Sequence, residues 1–224
     1  MSLVEHRTVI VVGGGPAGLP LAAVLGGWQP FFRPATTFSR RYGPLADALQ
    51  QVEGSLLGID FNELVARGIA PVDLFRALHH PRKLFEGLDQ VAMEFRREQG
   101  VDTLLLTREE VGGLWNNAPR NLLTLSPGQW MEFAFYPLAQ HADEMGLEID
   151  VNTLIKKTDL IDYYHRIPER FAVEDRVRTW QDVYEIAPHE RGFKVCARDV
   201  KTGDESTYTC KYLVYATGQR AKLR

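Results

Sequence analysis

Four β-branched residues, Val9-Ile10-Val11-Val12, run straight into Gly13-x-Gly15-x-x-Gly18 and then into an apolar helical pattern that reaches Ala22. Strand, glycine turn and helix in that order are what a dinucleotide fingerprint requires. Gly13 allows the tight turn, Gly15 lets the backbone approach a pyrophosphate, and Gly18 lets the helix pack on the strand. The helix N-terminus turns free N–H groups and a positive dipole end toward the phosphates. An ordinary buried strand ending in a glycine-rich turn would carry the same letters. The apolar run before the turn, Pro16 and Ala17 at the first helical turn, and Ala22 four residues past Gly18 favour the nucleotide. Pro20 falls in the second turn, where its missing N–H removes one backbone bond and predicts a bend.

The 224 residues suffice for a sizeable core, and 45% hydrophobic with 25% charged residues is the balance of a globular chain. A formal net charge of −3 with dispersed basic residues gives no reason to expect nucleic acid as a partner. No apolar run approaches the roughly 20 residues that span a bilayer. The N-terminus carries Glu5 and leads directly into the first strand, so no signal peptide is read and a cytoplasmic location is expected. Cys196 and Cys210 have neither CxxC nor metal-ligand spacing and fit buried small hydrophobes. Of the histidines only His79 and His80 are adjacent, and neighbours on a helix diverge by about 100°, so no metal site is read.

A plain Rossmann unit would continue into a second strand ending in an acidic residue about 20 positions beyond the glycines. Here Gly26-Gly27 closes the helix and Trp28 to Phe32 begins an irregular stretch, followed by a mostly helical insertion over 33–100. Within it, Leu56 to Val65, Val72 to Leu78 after Pro71, and Leu84 to Arg97 carry apolar residues at helical spacing. The delayed second strand is Thr103 to Leu106, followed by Gly112-Gly113-Leu114-Trp115, whose paired glycines suit a loop approaching a bound cofactor. The strand end holds Leu106 and Thr107 in place of a carboxylate, leaving Glu109, Glu110, or backbone and water to meet the ribose. Ser126-Pro127-Gly128 reads as a turn that brings Thr124, Ser126 and Gln129 near Trp115 if the loop folds back. Helices are expected near Pro137 to Met145 and Leu160 to Arg170. From Arg176 the period becomes two, and Val177 to Ile186, Gly192 to Val200 and Ser206 to Cys210 form a meander. An apolar strand then ends in Ala216-Thr217-Gly218, where small residues permit close approach to a cofactor, before a basic tail.

Taken together, Gly13 to Gly18, Gly112 to Trp115 and Ala216 to Gly218 resemble the first FAD half of flavin-containing monooxygenases. A closer resemblance is to the oxidative stress-induced growth inhibitor family of flavin monooxygenase-like proteins. It is carried by Gly26-Gly-Trp-Gln-Pro-Phe31, Ala70-Pro-Val-Asp-Leu-Phe-Arg-Ala-Leu78 and Leu123-Thr-Leu-Ser-Pro-Gly-Gln-Trp-Met-Glu132. The resemblance implies an α/β fold, a Rossmann-like FAD-binding domain in three layers with a parallel central sheet and a β-meander. That domain comprises 1–32 and 101–224. The expected cofactor is FAD, with NADPH as co-substrate only if a further domain supplies its site. Gly13, Gly15, Pro16, Ala17 and Gly18 are expected at the pyrophosphate, and Gly112, Gly113 and Trp115 at the ribityl and flavin side. Backbone near Val183 is expected at the adenine, with Ala216, Thr217 and Gly218 closing the site.

Three departures accompany the resemblance: the missing strand-end carboxylate, Ser126 where flavin-containing monooxygenases place an active-site asparagine, and no second GxGxxG in these 224 residues. The primary reading is therefore the FAD-binding part of an NADPH-type monooxygenase-like oxidoreductase, incomplete for turnover as this chain. The alternative is a catalytically inactive nucleotide-binding regulatory module acting through protein partners. A single-nucleotide NAD enzyme fits less well, because it needs neither the insertion nor Gly-Gly-Leu-Trp. The substrate, a small molecule, is open. Self-association through an apolar patch is a further expectation.

Overall fold

The computed structural model describes residues 4–66, 68, 70, 74, 77–79 and 90–218. The chain divides into two compact units, Met1–Gly27 with Gln99–Arg224, and Trp28–Glu98.

The first unit is built on strands β1 (Val4–Val12), β4 (Thr103–Leu106), β7 (Val177–Arg178), β8 (Gln181–His189), β9 (Gly192–Asp199) and β10 (Glu205–Tyr215), in the order β7-β4-β1-β10-β9-β8. The pairings of β1 with β4 and β10, and of β4 with β7, are parallel, while β10–β9 and β9–β8 are antiparallel. Val9–Val12 lies between Thr103–Leu106 and Tyr212–Tyr215, so the central strand is covered on both faces and reads as an unbroken apolar run. Val9, Val11 and Leu105 pack with Ala22 of helix α1 (Gly18–Leu25), while Ile10, Val12, Leu104 and Leu106 pack with Val195, Ala197, Tyr208 and Cys210. Cys196 and Cys210 are both buried free thiols, as small hydrophobes would be.

The meander and the closing strand prove continuous. β10 runs 11 residues, pairing with β9 through Glu205–Cys210 and with β1 along nearly its whole length. Conversely, the pattern from Val177 to Ile186 is interrupted: Trp180 takes φ 61 and separates β7 from β8. Alternation of side chains carries no mark of such a turn, because tryptophan is not a residue that favours positive φ. At α1, the Leu19 N–H donates to the Gly15 carbonyl at 3.0 Å, and Pro20 is the third residue of the regular helix. The ring removes the donor that would have met the Pro16 carbonyl, one bond lost within the first turn, where proline is best tolerated.

In the second unit the irregular stretch at Trp28 is a strand, β2 (Trp28–Phe32), paired antiparallel with β3 (Met93–Arg97). Pro30 is tolerated because a two-stranded sheet is all edge. The expected helix Leu84 to Arg97 is overturned at its end: Val91, Met93 and Phe95 alternate with period two, which a broad apolar stripe conceals. Helices Thr36–Arg41, Gly43–Gln50 and Phe61–Ala66 and a 3-10 turn at Leu56–Gly58 make the rest of the unit mostly helical where it is described. Residues 71–73, His80 and the part of the expected helix up to residue 89 lie outside the described residues, as does the basic tail beyond 218.

Strands β5 (Leu123–Pro127) and β6 (Leu154–Lys156) form a small sheet in the first unit, flanked by helices Leu138–Met145 and Lys157–Arg170. Phe133, Phe135 and Tyr136 are buried, packed with Tyr163, Tyr164 and Phe171 at ring separations of 4.8 to 5.9 Å. These rings are therefore core, and of the aromatic residues between 130 and 136 only Trp130 is exposed. The Tyr136 hydroxyl lies 3.1 Å from His141 Nδ1 and donates to Glu144 at 2.9 Å, and Arg170 Nη2 reaches the same carboxylate at 3.0 Å. Hydrogen bonding from Arg170 holds Glu144 at about 2, and burial together with the Arg166 charge pushes His141 below its ordinary 6.5.

Both shifts act in the same direction on acid stability. The unfolded chain binds a proton at His141 and at Glu144 more readily than the folded one, so stability falls with pH below about 6.5 and again from 4.5 toward about 2. A His141→Phe variant is expected to flatten the upper part of that profile. Thermal melts at about pH 7.5, 5.5 and 4 check this, and an unchanged melting temperature across the series would contradict it. Among the described residues no helix is long and apolar enough to cross a membrane.

Candidate functional site

The carboxyl ends of β1, β4 and β10 lie side by side, the position at which open α/β sheets bind ligands. Each strand runs into a short loop, and the loops are tied together by backbone. The Gly13 N–H donates to Leu106 O, the Ala216 N–H to Val12 O and the Gly112 N–H to Gly14 O, each at 2.8 Å. Between them opens a groove of about 590 Å³, well inside the roughly 300–1,000 Å³ of small-molecule sites. Gly13, Gly14, Gly15, Pro16 and Ala17 line one part, Thr107, Arg108, Glu109, Gly113 and Leu114 another, and Tyr215, Ala216, Thr217 and Gly218 a third. Gln181, Asp182 and Val183, delivered by the Trp180 turn, complete it.

The glycines owe their places to close approach. Gly13 has φ +112, and a Cβ there would overlap the Ala216 carbonyl oxygen; one on Gly18 would overlap the Gly13 carbonyl oxygen. Gly113, at φ +60, would place a Cβ 2.9 Å from Gly15 Cα, so the second glycine pair packs directly on the first turn. Gly15 differs. Its Cβ would meet nothing nearer than Gly113 Cα at 3.6 Å, which leaves its outer side open to a ligand. That combination of tight backbone and one open glycine fits a pyrophosphate at the N-terminus of α1.

The structure thus brings Gly13, Gly15, Pro16, Ala17, Gly113, Val183, Ala216, Thr217 and Gly218 to one groove, while Gly18, Gly112 and Trp115 are not among its lining residues. Gly18 and Gly112 support it from beneath, Gly112 against Ile161 Cδ1. Thr124, Ser126 and Gln129 do not line it either. The Thr124 hydroxyl instead donates to Ser126 O at 2.7 Å and accepts the Ile155 N–H at 3.1 Å, serving the β5–β6 sheet.

Residues the sequence did not single out include Gly14, Arg108, Asp182 and Tyr215, while Thr107, read only as the strand end that lacks a carboxylate, lines the groove as well. Thr107 is buried, and a Cβ on Gly14 would lie 2.9 Å from its Cβ and Oγ1, so small residues on both sides are required there. The triple glycine was the available signal for that contact. Asp182 had none, since only the Trp180 turn brings it to Arg108, with Nε and Oδ1 3.6 Å apart.

No protein-family model matches the chain. Oxidative stress-induced growth inhibitor 1 of Mus musculus is 32% identical over 135 residues, covering 57% of this chain and 28% of that protein. The similarity to the oxidative stress-induced growth inhibitors read from the sequence is thus found again among characterised proteins, and the chain spans under a third of their length. Among solved structures, a bacillithiol disulfide reductase from Bacillus cereus is similar at a TM-score of 0.54 and 18% identity, over 96% of this chain and 40% of that one. A flavin-containing monooxygenase from Stenotrophomonas maltophilia is similar at 0.51 and 16%, over 96% and 39%. At these identities the likeness shows the fold, a Rossmann-like α/β domain with a mostly parallel central sheet, as expected from the sequence.

Proposed function

We propose that this chain, similar over more than half its length to the oxidative stress-induced growth inhibitors, holds FAD in the groove. In this reading it forms the FAD-binding portion of a monooxygenase-like oxidoreductase. The observation that carries the reading is the convergence of three separate glycine elements on one groove at the carboxyl ends of three parallel strands. Gly13 to Ala17 and the start of α1 receive the pyrophosphate, Gln181 to Val183 the adenine end, and Gly113, Leu114 and Ala216 to Gly218 the remaining length. Bound FAD would supply two-electron transfer and oxygen chemistry; the chain supplies position, backbone donors and partial exclusion of water. The likeness in fold to a flavin-containing monooxygenase from Stenotrophomonas maltophilia supports that class of chemistry.

The test is spectroscopic. The purified chain is expected to retain FAD, or to bind added FAD with quenching of flavin fluorescence; failure of both overturns the reading. Because the sequence carries one dinucleotide fingerprint, NADPH mixed in without oxygen is expected to leave the bound flavin oxidised on the timescale on which dithionite bleaches it. Rapid bleaching by NADPH would show a nicotinamide site within this chain.

A further inference from the structure

Among the described residues, Ala172, Trp180 and Glu190 hold positive φ without being glycine. Ala172 follows the helix Lys157–Arg170, and Glu190 sits in the tight connection between the antiparallel strands β8 and β9, both places where the chain commonly turns this way. Trp180, at φ 61, lies instead between β7 and β8, which run in the same sense, and it sends Gln181, Asp182 and Val183 into the groove without lining it itself. A residue of that size keeps such a conformation only where its surroundings fix it.

Two side chains clasp the indole. Glu110 Oε1 accepts its N–H at 2.9 Å, and Lys201 Nζ lies 4.0 Å from the ring centroid. The backbone is bound on either side as well: the Thr107 N–H donates to Arg178 O at 3.0 Å, the Gln181 N–H to Thr107 O at 2.9 Å and the Val200 N–H to Trp180 O at 2.8 Å. The turn thus straddles Thr107, the residue on which Gly14 packs. Glu110 acts in a second direction too. Its backbone carbonyl accepts Asn116 Nδ2 at 2.7 Å, in the short helix Leu114–Asn117 that follows Gly112 and Gly113. One residue outside the groove lining therefore ties the edge at Gln181, Asp182 and Val183 to the edge at Gly113 and Leu114.

We propose that Glu110 and Trp180 are positioning residues, whose hydrogen bond holds the edge at Gln181 to Val183 in its binding geometry before an adenine nucleotide arrives. This role rests on the reading of the groove as an FAD site. Neither side chain is among the lining residues, so both act through the backbone of the turn. The effect is preorganisation. With the clasp closed, ordering the turn is not charged against binding; with it open, only the molecules whose turn is in place bind, and the apparent Kd rises by the inverse of that fraction. A turn in place about a tenth to a third of the time raises Kd about three- to tenfold. The indole N–H needs only an acceptor, which an amide oxygen at position 110 supplies as a carboxylate does.

The experiment is calorimetric titration of the nucleotide-free chain and its variants with FAD and with ADP, beside thermal melts. Trp180→Phe, which lacks the indole donor, and Glu110→Ala are each expected to raise Kd about three- to tenfold, with the melting temperature lowered by no more than a few degrees. Glu110→Gln keeps the acceptor and is expected to bind like the parent. The double variant Glu110→Ala with Trp180→Phe is expected to bind no more weakly than either single one, since both break the same bond. Unchanged affinity in either single variant, additive losses in the double one, or a Glu110→Gln protein as weak as Glu110→Ala overturns the proposal, while FAD binding by the parent leaves the FAD reading standing. A melting temperature that collapses along with affinity would make the clasp a support of the fold and overturns it equally. If the parent binds FAD and not ADP, the FAD titrations decide by the same criteria. A parent that binds neither overturns both readings.

Discussion

Valine at Gly13 is expected to abolish flavin retention and to destabilise the chain by about 2–6 kcal/mol. The figure combines roughly 1–3 kcal/mol for a side chain held at positive φ with roughly 1–3 for the backbone shift forced by overpacking. Both apply because Gly13 has φ +112 and its added Cβ would overlap the Ala216 carbonyl oxygen, part of the strand end that closes the groove. Against the 5–15 kcal/mol by which a folded domain is ordinarily stable, that loss is large. Gly15→Ala separates fold from binding. Its Cβ meets only ordinary contact at 3.6 Å, so the melting temperature is expected to stay within a few degrees while FAD affinity drops at least about tenfold. Thermal melts and flavin fluorescence on the two variants check both statements. A Gly13→Val protein melting like the parent, or a Gly15→Ala protein holding flavin like the parent, would remove the assignment of this turn.

Tyr163→Phe is expected to cost about 2–4 kcal/mol, far more than the loss of one exposed hydroxyl. The Tyr163 hydroxyl accepts the Phe133 N–H at 2.8 Å and donates to Tyr136 O at 2.5 Å, inside a ring cluster where Tyr163 is fully buried. Burial also holds its phenol well above the usual range, so it stays a donor at any pH the fold survives. Removing the oxygen strands one backbone donor and one backbone acceptor where water does not reach them. Urea unfolding should show a lower midpoint with an unchanged slope. Tyr212→Phe, on a half-exposed ring of β10, is the matched control and should shift the midpoint little. Equal midpoints for the two variants would mean that the cluster does not depend on that hydroxyl.

The two variants also mark the difference between what was legible in the sequence and what was not. The turn at Gly13 was readable because a local backbone requirement selects a local residue: φ near +112 beside a carbonyl leaves glycine alone. The same holds for Val9–Val12, whose unbroken apolar run reports burial on both faces, and for the helices at Leu138–Met145 and Lys157–Arg170. The hydrogen bonds of Tyr163 were not readable, since they join residues about thirty positions apart. Strand β3 was missed because Val91, Met93 and Phe95 satisfy a broad helical stripe as well as a period of two, and only the pairing with Trp28–Phe32 decides between them.

By itself, then, the sequence determined the glycine turn and the parallel strand that feeds it, and set the expectation of a dinucleotide ligand. These follow from sterics and periodicity within a dozen residues. Tertiary structure alone decided that Gly113 packs on Gly15, that the Trp180 turn brings Asp182 and Val183 to the same groove, and that Glu109 lines the groove while Glu110 holds the turn. The physical reason is that spacing along the chain carries no information about contacts between the loops that follow β1, β4, β7 and β10. Those loops meet only because the four strands are neighbours in one hydrogen-bonded sheet.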